Sequence, residues 1–140
     1  MVWQLQLFFG NALDILADII ATAPTGSGKT AAYLLPIIDE LANQLEETDQ
    51  FRRKQLFKPY VIITLPTKEL VEQIYNDAKL LAEGTDVSVV RTYGDMPMGP
   101  SKSSVARGCD IFIATTGRLM HFVMDEFVSL VKEVRCLRGI

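Results

Sequence analysis

The sequence predicts an α/β fold, a doubly wound parallel sheet that carries a phosphate-binding loop (P-loop) and is incomplete in 140 residues. Apolar runs at residues 60–65, 87–91 and 110–114 alternate with segments whose apolar residues recur at helical spacing. Such alternation is typical of a parallel sheet with helices on both faces. A glycine-rich run at residues 23–30 follows a first apolar run at residues 19–21, which predicts the first strand, and polar motifs follow the later runs. Ligands of such sheets collect at the carboxyl ends of the strands.

Composition and charge limit the classes of function open to the chain. Hydrophobic residues make up 49% and charged residues 22%, the balance of a globular domain. The net charge of −3 gives no overall positive field, so any contact with nucleic acid has to come from local groups. Cys109 and Cys136 lack metal-ligand or disulfide spacing, and His121 has no companion for a catalytic or metal site. We therefore predict a cytoplasmic or nuclear protein.

Residues 1–10 are apolar and imitate a secretory signal peptide. No basic segment precedes them, Asp14 and Asp18 interrupt the apolar run, and cleavage after Ala23 would cut into the glycine-rich run. The same carboxylates prevent an apolar span of ~20 residues, so we predict no membrane contact. We interpret the N-terminal segment, residues 1–17, either as packing material or as sequence foreign to the fold, and residues 18–140 as the domain.

The glycine-rich run at residues 23–30 has the strand, loop and helix context of a P-loop. Gly26 and Gly28 allow successive N–H groups to face anionic oxygens, and Lys29 adds a positive charge for the β and γ phosphates. The hydroxyl of Thr30 can bind Mg²⁺ that is shared with the phosphates. The pattern predicts a magnesium nucleoside triphosphate, the alternative being a glycine-rich turn before an ordinary helix. The predicted nucleotide-binding residues are Ala23, Pro24, Thr25, Gly26, Ser27, Gly28, Lys29 and Thr30.

The first helix and a charged loop follow the P-loop. Apolar residues at helical spacing predict a helix from Lys29 to about Leu45, with a kink at Pro36. Residues 46–58 then predict a surface loop, in which the basic cluster at residues 52–54 is either solvated or a contact for nucleic acid. Acidic residues immediately before the cluster favour the solvated loop.

Three further strands alternate with helices. Residues 60–65 predict a strand buried on both faces and ended by Pro66, after which Thr67 caps a helix that stops at Gly84. A third central strand is predicted at residues 87–91. The remaining predicted elements are a loop with Gly94, Pro97, Gly99 and Pro100, a strand at residues 110–114, a helix opened by residues 115–117, and the start of a fifth strand at residues 131–137.

Three motifs in this order resemble those of the DEAD-box RNA helicases, specifically of their first RecA-like lobe. Residues 23–30 resemble motif I, including the alanine at its start. Residues 66–70 with Gln73 resemble motif Ia, and residues 107–119 resemble the approach to motif Ib. The resemblance covers about residues 18–137, and the flanking sequence is most similar to the Vasa-related germline branch. Three motifs at the family spacing are far more specific than a P-loop alone.

The resemblance implies that the nucleotide is ATP with Mg²⁺, and that motifs Ia and Ib bind the backbone of single-stranded or duplex RNA. Both motifs lie where a strand ends and a helix begins, so free N–H groups and hydroxyls can face phosphate. Thr67 and Thr116 can also simply cap their helices, and Arg118 either binds phosphate or orders its loop. The RNA-binding residues that the resemblance implies are Pro66, Thr67, Lys68, Gln73, Gly94, Thr116, Gly117 and Arg118.

Several residues depart from the family pattern. Lys68 replaces an arginine and loses its planar fork, and Thr116 replaces a proline. Asp95 stands where the family has a second glycine and places a carboxylate where RNA phosphate would approach, so we expect weaker binding. The upstream glutamine motif is not recognisable, because Gln4 and Gln6 lack its proline-rich setting, and adenine selectivity rests on the resemblance alone.

The carboxylates for hydrolysis are missing where the family has them. Residues 134–137 lead into residues 138–140, Arg-Gly-Ile, instead of Asp-Glu-Ala-Asp. Residues 122–126 imitate such a site, but the helix opened by Gly117 leaves no room for a strand there. We therefore expect almost no hydrolysis by this chain alone and a second RecA-like lobe in a full-length parent. The alternatives are a non-catalytic truncation product that competes for RNA, and an unrelated P-loop NTPase.

Overall fold

A computed structural model describes residues 22–47, 59–125 and 135–138 of the chain. Helices and strands alternate along these segments, as the sequence predicts. The elements are α1 Lys29–Glu47, β1 Val61–Leu65, α2 Lys68–Leu81, β2 Val89–Thr92, α3 Met98–Ala106, β3 Ile111–Thr115, α4 Thr116–Met124 and β4 Arg135–Arg138. The N-terminal segment at residues 1–17, the predicted strand at residues 19–21 and the basic cluster at residues 52–54 lie outside the described residues.

The four described strands form one parallel sheet in the order β2-β3-β1-β4. β1 lies between β3 and β4, and Leu65 of β1 is opposite Thr115 of β3 at their carboxyl ends. β3 also pairs with β2, where Ala114 is opposite Thr92. The carboxyl ends of β1, β3 and β2 therefore lie side by side at one end of the sheet. That end is where ligands of parallel sheets bind.

Helices cover both faces of the sheet, which confirms the doubly wound arrangement. Val61 and Ile63 of β1 belong to one buried cluster together with apolar residues of α1 and α2. Ile62 belongs to a second cluster with Phe112 of β3 and Phe122 of α4, whose ring centroids are 5.4 Å apart. Successive side chains of a strand point to opposite faces. A strand with a helical layer on each side therefore needs the continuous apolar run seen in the sequence.

The prediction of a third central strand at residues 87–91 is wrong about its position. β2 spans Val89–Thr92 and, within the described sheet, pairs with β3 and stands at the end of the strand order. Val89 and Thr92 are buried, whereas Val90 and Arg91 are half-buried. Val89 belongs to the first buried cluster and Val90 packs against the second, so both faces of β2 are covered, each of them incompletely.

Two of the described prolines lie inside helices: Pro100, which predicts a loop, and Pro36, which predicts a kink. Gly99 and Pro100 are in the first turn of α3, where the sequence predicts a loop. Proline fits the first turn because the N–H that it lacks has no intrahelical partner there. Pro36 lies inside α1, and that helix continues to Glu47. The loop predicted at Gly99 and Pro100 is therefore wrong, whereas the helix predicted across Pro36 is confirmed and its kink stays a prediction.

Candidate phosphate-binding surface

A glycine turn forms the predicted nucleotide-binding loop directly before α1. Gly26 and Gly28 have φ angles of 75° and 83°, a left-handed region that residues with a Cβ rarely adopt. A Cβ on Gly26 would meet no atom within 4 Å, so glycine is needed for the backbone angle and not for space. The N–H of Ser27 donates to the carbonyl of Pro24 over 3.3 Å. The loop therefore curls at the N-terminus of α1, where unpaired N–H groups favour an anion.

The ammonium of Lys29 bends back over this loop. It donates to the carbonyl of Pro24 over 2.8 Å and also to the carbonyl of Ala23. The side chain is exposed, so an anion can reach the same ammonium from solvent. Ionised phosphate oxygens are stronger acceptors for an ammonium than neutral carbonyls are. The contacts therefore hold a positive charge at the loop that a phosphate can draw away from the carbonyls.

The hydroxyl of Ser27 is buried in the loop without a hydrogen-bond partner among the described residues. A buried polar group that lacks a partner destabilises the folded state by roughly 1–3 kcal/mol. An anion seated in the loop would supply the missing acceptor. The unpaired hydroxyl and the curled main chain therefore fit a bound phosphate group.

Tyr33 contacts the predicted magnesium ligand Thr30, a contact that the i, i+3 spacing on a helix could have indicated. Burial raises the pKa of the Tyr33 phenol to about 12. The hydrogen bond with the Thr30 side chain opposes this rise in pKa, and the carboxylate of Asp77 adds to it. The phenol therefore stays neutral at physiological pH and keeps its proton beside the Thr30 hydroxyl.

The carboxyl end of β1 leads directly into α2. Thr67 caps α2, because its Oγ1 accepts from the N–H of Leu70 over 3.3 Å. A hydroxyl that accepts one bond still has a proton to donate, so the cap leaves Thr67 able to bind a phosphate oxygen. Pro66, Thr67 and Lys68 are exposed, as is Gln73 in the second turn of α2. The predicted motif Ia residues thus face solvent.

Arg118 anchors the loop after β2. Its guanidinium donates to the carbonyls of Tyr93 and Gly94 over 2.8 and 2.7 Å, and also to that of Met96. Arg118 is only 8% exposed although it lies in the first turn of α4. Its Nε and Nη2 donate to the main chain of the loop and its Nη1 donates to Sδ of Met98, so the geometry favours the loop-ordering alternative over direct contact with phosphate.

The start of α4 differs from the sequence prediction in its cap. The N-cap residue is Thr115, which makes no side-chain capping hydrogen bond. Thr116 and Gly117 are the first helical residues and both are exposed. The interpretation of Thr116 as a cap is wrong by one residue, because Thr115 ends β3 in extended backbone and the helix begins immediately after it.

An ion pair connects two of the predicted RNA-contact segments. The Nζ of Lys68 lies 2.6 Å from Oδ2 of Asp95. The carboxylate raises the pKa of Lys68, and the ammonium lowers the pKa of Asp95. A second exposed pair of the same kind joins Lys102 and Asp125 over 2.9 Å. Lys68 is therefore not free to bind phosphate until Asp95 releases it.

The groove beside this ion pair is mainly acidic. Glu72 accepts from Nε of Arg91 over 2.7 Å, and that guanidinium lies 4.0 Å from the centroid of the Tyr75 ring. The guanidinium and a hydrogen bond with Tyr93 both hold the pKa of Glu72 below its usual range. The lining residues are Lys68, Glu69, Glu72, Tyr93, Asp95, Met96 and Pro97.

Other candidate sites fail on geometry. Residues 122–124 belong to α4, and Asp125 follows as its C-cap, so the imitation of a strand followed by Asp-Glu is excluded. Burial raises the pKa of the Cys109 thiol to about 12, which makes it a poor nucleophile. The described residues contain no cluster of three histidine, cysteine or carboxylate side chains for a metal ion. Nor does the described part of the chain contain a helix long and apolar enough to cross a bilayer.

The chain is similar to known helicases in sequence and in fold. Residues 9–137 match the family model of the DEAD/DEAH box helicase. The probable ATP-dependent RNA helicase DDX4 of Homo sapiens is 42% identical over 120 residues, which are 86% of this chain and 16% of that protein. A hypothetical ATP-dependent RNA helicase from Sulfolobus tokodaii superposes with a TM-score of 0.72 at 28% identity, over 94% of this chain and 35% of that one. The yeast DEAD-box splicing factor Prp28 superposes with a TM-score of 0.71 at 26% identity, over 96% of this chain and 31% of that one.

Proposed function

Because the chain belongs to the DEAD/DEAH box helicase family, we propose that it is the ATP-binding and RNA-binding part of an ATP-dependent RNA helicase. The chain spans 16% of the length of human DDX4, so RNA unwinding is proposed for a longer parent protein. The observation that carries the proposal is the curled loop at residues 23–30, which holds an ammonium and a buried hydroxyl without a partner among the described residues, at a helix N-terminus.

ATP is proposed to bind on residues 23–30. Its phosphates would take the Lys29 ammonium from the carbonyls of Ala23 and Pro24 and supply the acceptor that the Ser27 hydroxyl lacks. The Thr30 hydroxyl is proposed to hold Mg²⁺ together with the phosphates, since magnesium prefers oxygen ligands shared with its substrate. Adenine selectivity rests on family membership.

The RNA backbone is proposed to bind along the carboxyl ends of β1, β3 and β2. Exposed hydroxyls and the free N–H groups at the starts of α2 and α4 suit phosphate, and such contacts do not read base identity. Arg118 is proposed to act indirectly, by ordering the loop that contains Gly94. The proposed contact residues are Pro66, Thr67, Lys68, Gln73, Gly94, Thr116 and Gly117.

Hydrolysis is proposed to need groups from outside this chain. Its sequence contains no Asp-Glu-Ala-Asp, and phosphoryl transfer depends on carboxylates and cations placed around the reacting phosphate. A second RecA-like lobe is the proposed partner, and the cytoplasm or nucleus the proposed location. The boundary between residues 1–17 and the lobe stays a prediction.

Nucleotide binding is tested by titrating the chain with a fluorescent ATP analogue and Mg²⁺. We expect Lys29→Ala to weaken binding by about tenfold or more, because one charge-assisted bond to phosphate is lost. Lys79→Ala is the matched control, since Lys79 is an exposed lysine in the last turn of α2. Equal affinities for the two variants would contradict the proposed nucleotide site.

A further inference from the structure

We infer that Asp95 competes with RNA for Lys68, so that an RNA phosphate has to displace the Asp95 carboxylate before the Lys68 ammonium can bind it. The inference rests on the proposed RNA-binding function and adds a residue that limits its affinity. The contact behind it joins positions 27 residues apart in the sequence. Only the fold brings these two side chains together.

The ion pair is within reach of an external anion. Lys68 Nζ and Asp95 Oδ2 are 2.6 Å apart, and the two side chains are 53% and 70% exposed. A carboxylate and a phosphate present the same kind of ionised oxygen to an ammonium. Lys68 is a point charge on a flexible stem and can turn from one acceptor to the other. The bond seen in the structure is therefore one that RNA can replace.

The ion pair spans the middle of the proposed RNA surface. Lys68 begins α2 after β1, and Asp95 lies in the loop after β2. β3 lies between those strands, and neighbouring strands are roughly 4.8 Å apart. The bridge therefore crosses the carboxyl end of β3, from which Thr116 and Gly117 start α4. A backbone that follows the three strand ends has to pass the bridge.

The loop that carries Asp95 is held independently of the ion pair. Arg118 binds the carbonyls of Gly94 and Met96, the residues on either side of Asp95. Replacing the carboxylate therefore removes a charge and leaves the main chain anchored. The neighbouring Glu72 is bound to Arg91, so it does not simply take over the role of Asp95.

The test is RNA affinity as a function of salt. A fluorescein-labelled single-stranded oligouridine is titrated with the unaltered chain, with Asp95→Asn and with Asp125→Asn, and fluorescence anisotropy is read at several salt concentrations. Asp125→Asn changes the net charge equally and opens the second aspartate–lysine pair of the described residues, that of Lys102. It does so at the far end of α4 from the strand ends. Circular dichroism melting curves check that each variant is folded.

We expect Asp95→Asn to tighten binding about threefold to tenfold at low salt. The slope of log affinity against log salt concentration should become steeper by roughly 0.7, the value for one additional phosphate contact on a single strand. Asp125→Asn should change affinity by less than about twofold and leave the slope unchanged. In a Lys68→Ala background, Asp95→Asn should no longer steepen the slope.

Equal gains in RNA affinity for Asp95→Asn and Asp125→Asn would overturn the inference, because the change in net charge alone would then explain them. The proposed RNA binding would not be affected by that result. A steeper slope that persists without Lys68 would also overturn it. Failure of every folded variant to bind the oligonucleotide would reject the proposed RNA function and the inference together. Binding that is detected only after Asp95→Asn would support both.

Discussion

At the scale of single residues, the Tyr33 phenol is expected to make the fold less stable as the pH rises into the alkaline range. Its pKa is about 12 in the folded chain against a usual 10.0, so the unfolded chain releases this proton first. The difference in pKa contributes about 2–3 kcal/mol to the free energy of unfolding. This contribution is complete below pH 10 and is lost as the pH rises towards 12. Urea unfolding between pH 9 and 11.5 should show a smaller loss of stability for Tyr33→Phe than for the unaltered chain. Tyr75→Phe removes a phenol elsewhere and serves as control, and parallel curves for all three proteins would refute the assignment.

Single residues also show where sequence reasoning stops. The Thr67 cap is predictable because the cap and the N–H that it binds lie within one helical turn. The roles of Arg118 and Lys68 are not, because their partners come from the loop after β2, 22 to 27 residues away in the sequence. The sequence leaves two readings of Arg118 open, and only its burial against loop carbonyls favours one of them. Which side chains meet over such distances in the sequence depends on the order of the strands in the sheet.

At the scale of elements, α4 can be distinguished from the rejected strand by two substitutions. In a strand, Phe122 and Met124 would share one face, whereas in α4 Phe122 is fully buried and Met124 is 74% exposed. We expect Phe122→Ala to lower the free energy of unfolding by about 3–5 kcal/mol. Met124→Ala should change it by less than about 0.5 kcal/mol. Chemical denaturation measures both, and similar losses would argue for the strand.

The elements differ in how clearly the sequence predicts them. α2 is predicted almost to its ends, because a capping threonine precedes a regular apolar stripe. α3 is missed although it spans nine residues. Its buried face carries Ser101, whose hydroxyl accepts from Thr92 over 3.1 Å, and Val105. A serine on the core side breaks the apolar period, and Gly99 and Pro100 predict a loop.

At the scale of the whole molecule, we expect binding of ATP without turnover. The chain contains the proposed phosphate-binding loop but no Asp-Glu-Ala-Asp, and such carboxylates position magnesium and the attacking water. Phosphate release in a colorimetric assay should stay at the level of the Lys29→Ala variant, with or without RNA. Release clearly above that level would show that other carboxylates of this chain suffice.

The overall topology could be predicted from the sequence because apolar runs and segments with helical spacing alternate along the chain. The position of β2 at the end of the described sheet was not predictable, since residues 87–91 still carry three apolar side chains and resemble an inner strand. An end position depends on which strands pair, and pairing is decided by contacts between distant segments. The same limit applies to the groove between α2 and the loop after β2, which no local pattern predicts.

The hydrogen bonds from Arg118 to the loop after β2 bear on the thermodynamics of recognition. A segment whose carbonyls are already tied to a buried guanidinium has little conformational entropy left to lose when a ligand arrives. Such preorganisation lets weak, sequence-independent contacts add up to useful affinity. If RNA binds at the proposed surface, this loop therefore needs little reordering on binding.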